Sequence, residues 1–468
     1  MPAPSPAVLD ELKSILGPRG WTQDADLIAP RVVEWRGAWE GNTPILLTPA
    51  STEEVARAVA VCAREGVAIT PQGGNTGLVG GQIPYGEVLI SMNRMRAVRQ
   101  VLPLEDVMVV EAGLTLKEAQ DAAAGADRFF PLSLAAEGTA TVGGVISTNA
   151  GGTAVLRYGV ARDLVLGLEA VLPNGEIFHG LKRLRKDNTG YDLKHLLIGA
   201  EGTLGIVTAA ALKLFPVMRS RATAVVGLET PAAALELLAV AKAETGGGVE
   251  AFELMNRQGV EICLAHIPDT RDPLDTPSPW AVLIELVSGE PGAAERGMER
   301  ILEDAFERGL ISDAAMAQNA AQAAQFWRLR EEMSAAQKAA GGGWKHDVSL
   351  PLTALPEFVE RAHAALNAQF EGIRLVTFGH LGDGNLHYNV VPPVGEDPKA
   401  FAARKDEGAR IVHDIVGELQ GSISAEHGLG RLKTEEALRY KDPVQVAAMR
   451  AVRAALDPQR IMNPSVLF

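Results

Sequence analysis

The segment TFGHLGDGNLHYNV, residues 377–390, carries two histidines on either side of a glycine-rich turn. His380 ends one predicted strand and His387 begins the next, so a hairpin would bring the two imidazoles together. Two imidazoles and a carboxylate suit a divalent metal ion, and SAEHGLG downstream offers that carboxylate as Glu426. The pattern alone leaves three interpretations open: metal ligands, catalytic bases, or histidines that only close a strand.

A second candidate cluster lies in QFWRLREEMSAAQKAAGGGWKHDVSLP, residues 325–351. A predicted helix carries Arg330, with Ser334 one turn later on the same face, and Lys345 stands just before a strand. The guanidinium fork binds a carboxylate in bidentate fashion, which favours an anionic substrate. The same pattern is typical of a solvated helix face followed by a strand-edge lysine, so this segment alone does not decide between them.

The N-terminal half contains three glycine-rich stretches: PQGGNTGLVGG at 71–81, EGTATVGGVISTNAGGTAVLRYG at 137–159 and NTGYDLKHLLIGAEGTLGIVT at 188–208. Glycine lets backbone amides approach a ligand closely and converge on an anion. Turns explain any one stretch, but the three together predict a large phosphate-bearing cofactor. No G-x-G-x-x-G follows the first strand and no Gly-Lys pair occurs, which excludes a Rossmann fingerprint and a Walker loop.

The composition narrows the class of protein. A chain of 468 residues is too long for one simple core and suggests two or three domains. The net charge of −14 argues against non-specific binding to nucleic acid or to anionic membranes. With only Cys62 and Cys263, the chain has no four-cysteine cluster and no disulfide framework, which fits a cytoplasmic location. Neither a signal peptide nor a transmembrane segment is expected.

Two patterns of secondary structure must position these residues. Before Pro216, helices such as 52–65, which Gly66 ends, accompany short buried strands. Asn174-Gly175 predicts a hairpin turn between two of those strands. After Pro216, strands such as AVLIELV alternate with alanine-rich helices, which predicts a separate α+β domain.

Taken in order, PQGGNTGLVGG, TVGGVISTNAGG, GAEGTLGIVT, GHLGDGNLHYN, AEHGLGR and a terminal MNP resemble the motifs of the FAD-linked 2-hydroxy-acid dehydrogenases. The resemblance runs from about residue 40 to the end and is nearest to D-2-hydroxyglutarate dehydrogenase and to D-lactate and glycolate dehydrogenase flavin subunits. It implies an α+β fold with a two-part FAD-binding domain of the vanillyl-alcohol-oxidase type. The implied domains are 1–215 for FAD, 216–420 for an α+β substrate or cap domain, and 421–468 for a helical segment that packs back on the FAD domain.

The resemblance also implies where FAD binds. The first stretch would wrap the pyrophosphate, the second would follow the ribityl and isoalloxazine groups, and the third would lie near the adenine. Because the first stretch contains neither histidine nor cysteine, the flavin is expected to be non-covalent. The implied cofactor residues are Pro71, Gly73, Gly74, Asn75, Thr76, Gly77, Leu78, Glu137, Gly138, Thr141, Gly143, Gly144, Asn149, Gly151, Gly152, Glu201, Gly202, Gly205, Ile206, Val207 and Asn463.

By the same resemblance, His380, His387 and Glu426 hold a divalent ion, zinc first and manganese second. Glu426 is assigned to the metal and His427 to proton removal, because the flanking glycines favour a loop in which both face one cavity. Asp383 in the turn is interpreted as a turn former, with a second acid as the alternative.

The implied reaction oxidises a D-2-hydroxy acid to the 2-oxo acid. The ion would lower the pKa of the substrate hydroxyl, His427 would remove its proton, and the Cα hydrogen would pass as hydride to the flavin. D-2-hydroxyglutarate is the first expectation, with D-lactate or D-malate next. Ser334 departs from the resemblance, because the 2-hydroxyglutarate enzymes tend to carry threonine there, so the alternative substrates stay open. The residues implied for substrate binding are Arg330, Ser334, Lys345 and Asn389.

The expected partners are the small 2-hydroxy acid, an electron acceptor such as an electron-transfer flavoprotein or a quinone-linked protein, and a second copy in a homodimer. Two alternatives are kept. The first is a flavin-free, metal-dependent hydrolase, which leaves the glycine stretches unexplained and would be colourless. The second is the flavin subunit of a glycolate-oxidase-type complex, which would be inactive alone.

Overall fold

The structure, a computed structural model, describes residues 3–468, which form two compact units. Unit 1 comprises the chain up to Gly152, Tyr158–Val217 and Glu426–Phe468. Unit 2 comprises Thr153–Arg157 and Met218–Ala425. The chain thus changes unit at 217/218 and 425/426, where the resemblance implied 215/216 and 420/421. No helix within residues 3–468 is long and apolar enough to cross a membrane.

The helices are α1 (Pro6–Leu16), α2 (Ala25–Val32), α3 (Thr52–Glu65), α4 (Leu116–Ala124), α5 (Val142–Thr148), α6 (Val155–Tyr158), α7 (Ala161–Leu164), α8 (Lys194–Leu197), α9 (Pro231–Thr245), α10 (Arg257–His266), α11 (Ala293–Glu307), α12 (Ala320–Glu331), α13 (Met333–Ala339), α14 (Leu355–Gln369), α15 (Pro398–Ala402), α16 (Lys405–Glu418), α17 (Thr434–Tyr440) and α18 (Pro443–Leu456). The strands are β1 (Trp21–Thr22), β2 (Leu46–Leu47), β3 (Ile69–Gln72), β4 (Val88–Ser91), β5 (Val98–Leu102), β6 (Val107–Glu111), β7 (Arg128–Phe129), β8 (Val165–Val171), β9 (Ile177–Gly180), β10 (Ile206–Lys213), β11 (Phe215–Pro216), β12 (Ser220–Leu228), β13 (Val249–Asn256), β14 (Trp280–Ser288), β15 (Asp313–Met316), β16 (Asp347–Ser349), β17 (Arg374–His380) and β18 (Asn385–Val391).

Unit 1 is built on two larger sheets and the short pair β7–β11. In the first sheet β2 and β3 flank β4 in parallel, and β1 pairs antiparallel with β2 at the edge. The second sheet is antiparallel in the order β5-β6-β10-β8-β9. The predicted hairpin joins β8 to β9, and Gly175 in its turn has a φ of 85°, which a side chain would disfavour.

Helix α3 shows how local sequence positions the first sheet. The Ser51 side chain accepts a hydrogen bond from the Glu54 amide at 3.2 Å and so caps the helix, which typically contributes about 1 kcal/mol. Gly66 ends the helix in the left-handed region with a φ of 65°. Val55 and Val59 face the unit 1 core, where full burial of such a side chain stabilises the fold by roughly 1.5–3 kcal/mol.

Unit 2 is built on one antiparallel sheet in the order β15-β12-β14-β13-β17-β18-β16. Its register sets Glu253 of β13 opposite His380 of β17, and Phe378 of β17 opposite His387 of β18. Side chains alternate between the faces of a strand, and Phe378 is two residues from His380. These four side chains therefore lie on one face of the sheet.

Helices α10, α12 and α13 cover that face of the unit 2 sheet. Phe326 and Leu329 of α12 and Met333 of α13 are buried in a core with Phe378 of β17 and Met255 of β13. This packing fixes the end of α12, which carries Arg330, above the strands that carry the two histidines.

Candidate functional site

Unit 1 contains a cavity of about 990 Å³, at the upper end of the volumes usual for ligand pockets, which run from roughly 300 to 1,000 Å³. All three glycine-rich stretches contribute to its wall, as expected for a single cofactor site. The predicted cofactor residues that line it are Pro71, Gly73, Gly74, Asn75, Thr76, Gly77, Leu78, Thr141, Gly143, Gly144, Gly151, Gly152, Glu201, Gly202, Gly205, Ile206, Val207 and Asn463.

The first two stretches approach so closely that two glycines leave no room for a side chain. A Cβ on Gly73 would stand 2.3 Å from Thr141 Oγ1, and a Cβ on Gly74 would stand 1.9 Å from the Thr139 carbonyl oxygen. Thr141 Oγ1 in turn caps α5 by accepting a hydrogen bond from the Gly144 amide at 3.3 Å. The backbone of Gly74 therefore packs on backbone, and that of Gly73 packs on the Thr141 hydroxyl, which only glycine permits.

Asn463, near the C-terminus, joins the first and third stretches. Its Nδ2 donates to the carbonyl oxygens of Gly81 and Glu201, both at 2.9 Å. Asn463 and Glu201 also adopt left-handed φ values of 45° and 50°. Residues other than glycine are uncommon in that region, so these contacts hold the backbone in a less favourable conformation.

The Glu201 carboxylate holds the loop that carries Glu426 and His427. Its Oε1 accepts a hydrogen bond from the Leu429 amide at 2.9 Å, and its Oε2 accepts one from the Gly430 amide at 2.8 Å. Burial raises the pKa of Glu201, and the two backbone hydrogen bonds oppose that rise without cancelling it. The loop is irregular, as its glycines predicted, and both Glu426 and His427 line the cavity of unit 1.

In unit 2 the predicted hairpin of histidines forms. Strand β17 ends at His380, a 3₁₀ turn follows, and β18 begins at Asn385, two residues before His387. The imidazole rings of His380 and His387 are centred 6.0 Å apart. In the turn, Asp383 Oδ1 accepts a hydrogen bond from the Asn385 amide at 3.1 Å, which is the turn-forming role predicted for it.

Glu253 of β13 connects this hairpin to Arg330. Its Oε1 accepts a hydrogen bond from His380 Nδ1 at 2.6 Å, and its Oε2 accepts one from Arg330 Nε at 2.8 Å and lies 2.8 Å from Nη2. Full burial alone would raise the pKa of Glu253, but the charge of a protonated His380, the charge of Arg330 and the hydrogen bonds from both residues hold it at about 2. An ionised carboxylate only accepts, so a neutral His380 carries its proton on Nδ1 and its lone pair on Nε2.

Arg330 and Phe378 complete this arrangement. Arg330 is 8% exposed, and its guanidinium lies 4.8 Å from the centroid of the Phe378 ring, a cation–π distance. The Phe378 ring is also centred 5.0 Å from the His387 ring. Glu253, Arg330, Phe378, His380 and His387 thus form one contiguous group on the unit 2 sheet, called here the sheet-face cluster.

Family models match both parts of the chain. The model described as the C-terminal domain of FAD linked oxidases covers residues 217–467, and the model described as an FAD binding domain covers residues 43–180. The chain belongs to the FAD-linked oxidase family. The resemblance seen in the motifs is thereby confirmed, and FAD is the cofactor of this FAD-linked oxidase.

Relatives and structural neighbours extend over nearly the whole chain. A protein named "Probable D-2-hydroxyglutarate dehydrogenase, mitochondrial" from Oryza sativa subsp. japonica is 37% identical over 454 residues, which cover 97% of this chain and 80% of that protein. The D-2-hydroxyglutarate dehydrogenase of Xanthomonas citri pv. viticola is 35% identical over 436 residues, covering 93% of this chain and 91% of that protein. Substrate-bound p-cresol methylhydroxylase has a TM-score of 0.77 at 16% identity, covering 98% of this chain and 96% of that chain. The similarity to p-cresol methylhydroxylase is evidence about the fold alone, and it confirms the predicted vanillyl-alcohol-oxidase-type α+β fold.

Three residues predicted to contact the cofactor of this FAD-linked oxidase are not among those that line the cavity. The Glu137 carboxylate accepts hydrogen bonds from Gln120 Nε2 at 3.1 Å and from the Ser133 hydroxyl. Asn149 ends α5, and its Oδ1 accepts a hydrogen bond from the Arg162 amide at 3.0 Å. Gly138 lies exposed beside Glu137. A glycine-rich loop has an outer side, and these residues shape the loop from there.

Several residues that line the cavity escaped the sequence analysis. Ser147 and Thr148 lie within the second stretch, so its polar composition was the available signal. Trp35 lines the cavity with 67% of its surface exposed, and no motif around this tryptophan predicts that position. Gln72 Nε2 donates to the Gln82 carbonyl oxygen at 3.1 Å and so shapes the first stretch from within.

The prediction that one helix face carries both Arg330 and Ser334 was wrong. Helix α12 ends at Glu331 and α13 begins at Met333, and the residue between them has a ψ of −4°, which tightens the turn. Spacing by four residues no longer preserves one face across such a break. Arg330 is therefore buried while Ser334 is exposed.

The other two residues predicted to bind substrate differ in their surroundings. Lys345 is exposed just before β16, as expected for a residue that follows a glycine loop. Asn389 of β18 is buried, and its Oδ1 accepts a hydrogen bond from the His346 amide at 3.2 Å. Asn389 thus already has a role in positioning the backbone that precedes β16.

Proposed function

We propose that this FAD-linked oxidase oxidises a D-2-hydroxy acid to the corresponding 2-oxo acid, with D-2-hydroxyglutarate preferred and D-lactate or D-malate next. The observation that carries the proposal is that His427 lines the same cavity as the FAD-binding glycine stretches. Relatives at 35–37% identity are named for the oxidation of D-2-hydroxyglutarate, which supports this choice of substrate. When bound, FAD accepts the hydride that leaves the substrate Cα.

His427 is assigned the removal of the hydroxyl proton. An imidazole that is neutral near pH 7 is a suitable general base, and the reaction needs that base beside the flavin. The hydrogen bonds from Leu429 and Gly430 to Glu201 hold the short loop that carries His427, which limits how far the base moves. A base with restricted motion contributes more to the rate than a mobile one.

His380, His387 and Glu426 are proposed to hold a divalent ion, zinc first and manganese second. Two imidazoles and a carboxylate suit such an ion, and the hydrogen bond to Glu253 leaves Nε2 of His380 as the ligand atom. A carboxylate completes such a ligand set, so Glu426 is assigned as the third ligand. When bound, the ion lowers the pKa of the substrate hydroxyl.

Arg330 is proposed to bind a substrate carboxylate, together with Ser334, Lys345 and Asn389. The Nε and Nη2 atoms of Arg330 already face Glu253, so the Nε/Nη2 edge of the guanidinium is not available for bidentate binding of a substrate carboxylate. The carboxylate is therefore assigned to the Nη1 side of the guanidinium. A buried guanidinium provides strong charge-assisted hydrogen bonds to an anion, because little water competes with them.

Reoxidation of the flavin is assigned to an outside acceptor, namely an electron-transfer flavoprotein or a quinone-linked protein. Burial raises the pKa of the Cys62 thiol to about 12 and that of the Cys263 thiol to about 11, which disfavours the reactive thiolates that a disulfide relay would need. We also propose that the chain forms a homodimer and acts in the cytoplasm.

A panel of D and L 2-hydroxy acids with an artificial dye acceptor tests the proposal. The purified protein should be yellow and should reduce the dye with D-2-hydroxyglutarate but not with the L enantiomer. A yellow protein that reduces the dye with no member of the panel would favour the inert flavin subunit. A colourless protein would contradict the binding of FAD and, with it, the proposed oxidation.

A further inference from the structure

We propose that Glu253 is the positioning residue that sets the ligand tautomer of His380 and, through the same carboxylate, the orientation of Arg330. The inference rests on the proposed function, because it takes His380 as a metal ligand and Arg330 as a substrate-binding residue. Glu253 itself is not placed in contact with the ion or the substrate. It acts through the two residues that are.

Each carboxylate oxygen of Glu253 accepts a hydrogen bond from a different side chain. Oε1 accepts the hydrogen bond from His380 Nδ1 at 2.6 Å, and Oε2 accepts the one from Arg330 Nε at 2.8 Å. A histidine that donates from Nδ1 to a carboxylate keeps its lone pair on Nε2 and becomes a more basic ligand. One anion thus prepares a metal ligand and a guanidinium together.

Burial makes this arrangement hard to replace with water. The Glu253 side chain is 1% exposed, and those of Arg330 and His380 are 9% and 11% exposed. Glu253 lies opposite His380 in the antiparallel register of β13 and β17, so the backbone fixes the distance between them. Removing the carboxylate would leave a buried guanidinium and a buried imidazole without their shared acceptor, which is strongly unfavourable.

The charge of Glu253 matters as well as its hydrogen bonds. Arg330 places a positive charge beside the proposed cation site, and the two would repel each other in a poorly solvated interior. The carboxylate between them offsets that repulsion. Neutralising Glu253 should therefore weaken cation binding through two physical effects: the unfixed tautomer of His380 and the uncompensated charge of Arg330.

Glu285 of β14 provides a matched control. It is also a buried glutamate on the same sheet, it pairs with an arginine, Arg221, and it accepts hydrogen bonds from Trp327 Nε1 at 2.9 Å and Thr223 Oγ1 at 3.0 Å. Trp327 belongs to α12, as does Arg330, so Glu285 likewise ties that helix to the sheet. Glu285 contacts neither histidine of the sheet-face cluster within residues 3–468.

The test is isothermal titration of Zn²⁺ into FAD-loaded protein that a chelator has stripped of metal. The Glu253→Gln variant should bind Zn²⁺ roughly 10–100-fold more weakly than wild type, the range found when such supporting carboxylates are removed. Glu285→Gln should keep the wild-type affinity although it also loses a buried charge. The KM for D-2-hydroxyglutarate should rise in Glu253→Gln and stay unchanged in Glu285→Gln, because only the former releases Arg330.

Equal Zn²⁺ affinity in Glu253→Gln and wild type would overturn the inference while leaving the proposed function intact. Wild-type protein that binds no Zn²⁺ would instead overturn the proposed metal site. The His387→Ala variant lacks one proposed ligand, so its titration shows the Zn²⁺ affinity expected when the site is lost. If Glu253→Gln does not fold, Glu253→Asp serves in its place. It keeps the charge but is one methylene shorter, so it should still bind Zn²⁺ more weakly, and full affinity would contradict the positioning role.

Discussion

Two glutamates, the half-buried Glu201 and the fully buried Glu253, organise the two units of this FAD-linked oxidase in different ways. In unit 1, Glu201 accepts hydrogen bonds from the neutral backbone amides of Leu429 and Gly430, and burial raises its pKa. In unit 2, Glu253 accepts hydrogen bonds from His380 and Arg330, and their charges hold its pKa at about 2. At Glu201 the backbone hydrogen bonds oppose the effect of burial on the pKa without cancelling it, whereas at Glu253 the cationic partners outweigh that effect.

The comparison teaches that the two sites depend on different properties of their residues. The cavity of unit 1, to which FAD is assigned, is shaped by close approaches to its glycines, so it should be sensitive to the size of a side chain there. The sheet-face cluster of unit 2 is held by charge, so it should be sensitive to neutralisation. Substitutions at the two sites should separate these two kinds of sensitivity.

Replacing the base should give the largest loss. His427→Ala should lower kcat by roughly 10²–10⁴-fold, the usual contribution of a general base, while FAD stays bound because the glycine stretches are unchanged. Steady-state kinetics and the flavin absorbance of the purified variant measure the two properties. Turnover near the wild-type value would refute the assignment of His427.

Filling the closest backbone contact of the FAD cavity should come next. In Gly74→Ala, the new Cβ would stand 1.9 Å from the Thr139 carbonyl oxygen, so the loops must separate. Such overpacking typically costs about 1–3 kcal/mol, which corresponds to FAD binding weaker by roughly 5–150-fold. The ratio of flavin to protein after purification measures the loss.

Gly138→Ala is the control for that substitution. It lies in the second stretch, but a Cβ there meets nothing within 4 Å. This variant should retain its FAD. Comparable loss of flavin in both variants would show that the outer side of the loop, and not the close contact at Gly74, governs cofactor binding.

The smallest expected effect is that of Glu201→Gln on how the stability of the protein varies with pH. Because the pKa of Glu201 is raised above its ordinary value of 4.5, the folded protein binds this proton more tightly than the unfolded chain does. The contribution of Glu201 to the free energy of unfolding therefore falls as pH rises above about 4.5. Glu201→Gln lacks this titration, so its Tm relative to wild type should improve between acidic and neutral pH, by about 1 °C per kcal/mol for a chain of this length. A Tm difference that is constant with pH would contradict the raised pKa.

The sequence predicted the site best where local patterns carry the structure. The hairpin of His380 and His387 followed from alternation around a glycine turn, and most of the FAD cavity followed from glycine-rich stretches in a fixed order. Glu253 could not be predicted from sequence because it lies within the strand segment GVEAFELM. In such a strand, the sequence alone does not distinguish a buried glutamate from one that faces solvent. Only the pairing of β13 with β17, which are more than a hundred residues apart, reveals its partners.

The break between α12 and α13 was missed for a related reason. The segment RLREEMSAA contains no glycine or proline, and every residue in it is compatible with a continuous helix. The interruption at Glu332 leaves Arg330 buried against β13 and Ser334 exposed. Tertiary packing decided this boundary, and propensity alone could not have located it.

The most direct test of the central claim is anaerobic reduction of the bound flavin with no acceptor present. D-2-hydroxyglutarate should bleach the visible absorbance of the oxidised flavin, and L-2-hydroxyglutarate should leave it unchanged, because the proposed reaction passes the hydride to the flavin of this chain without a partner protein. A protein with full FAD content whose flavin no D-2-hydroxy acid reduces would contradict the proposed oxidation.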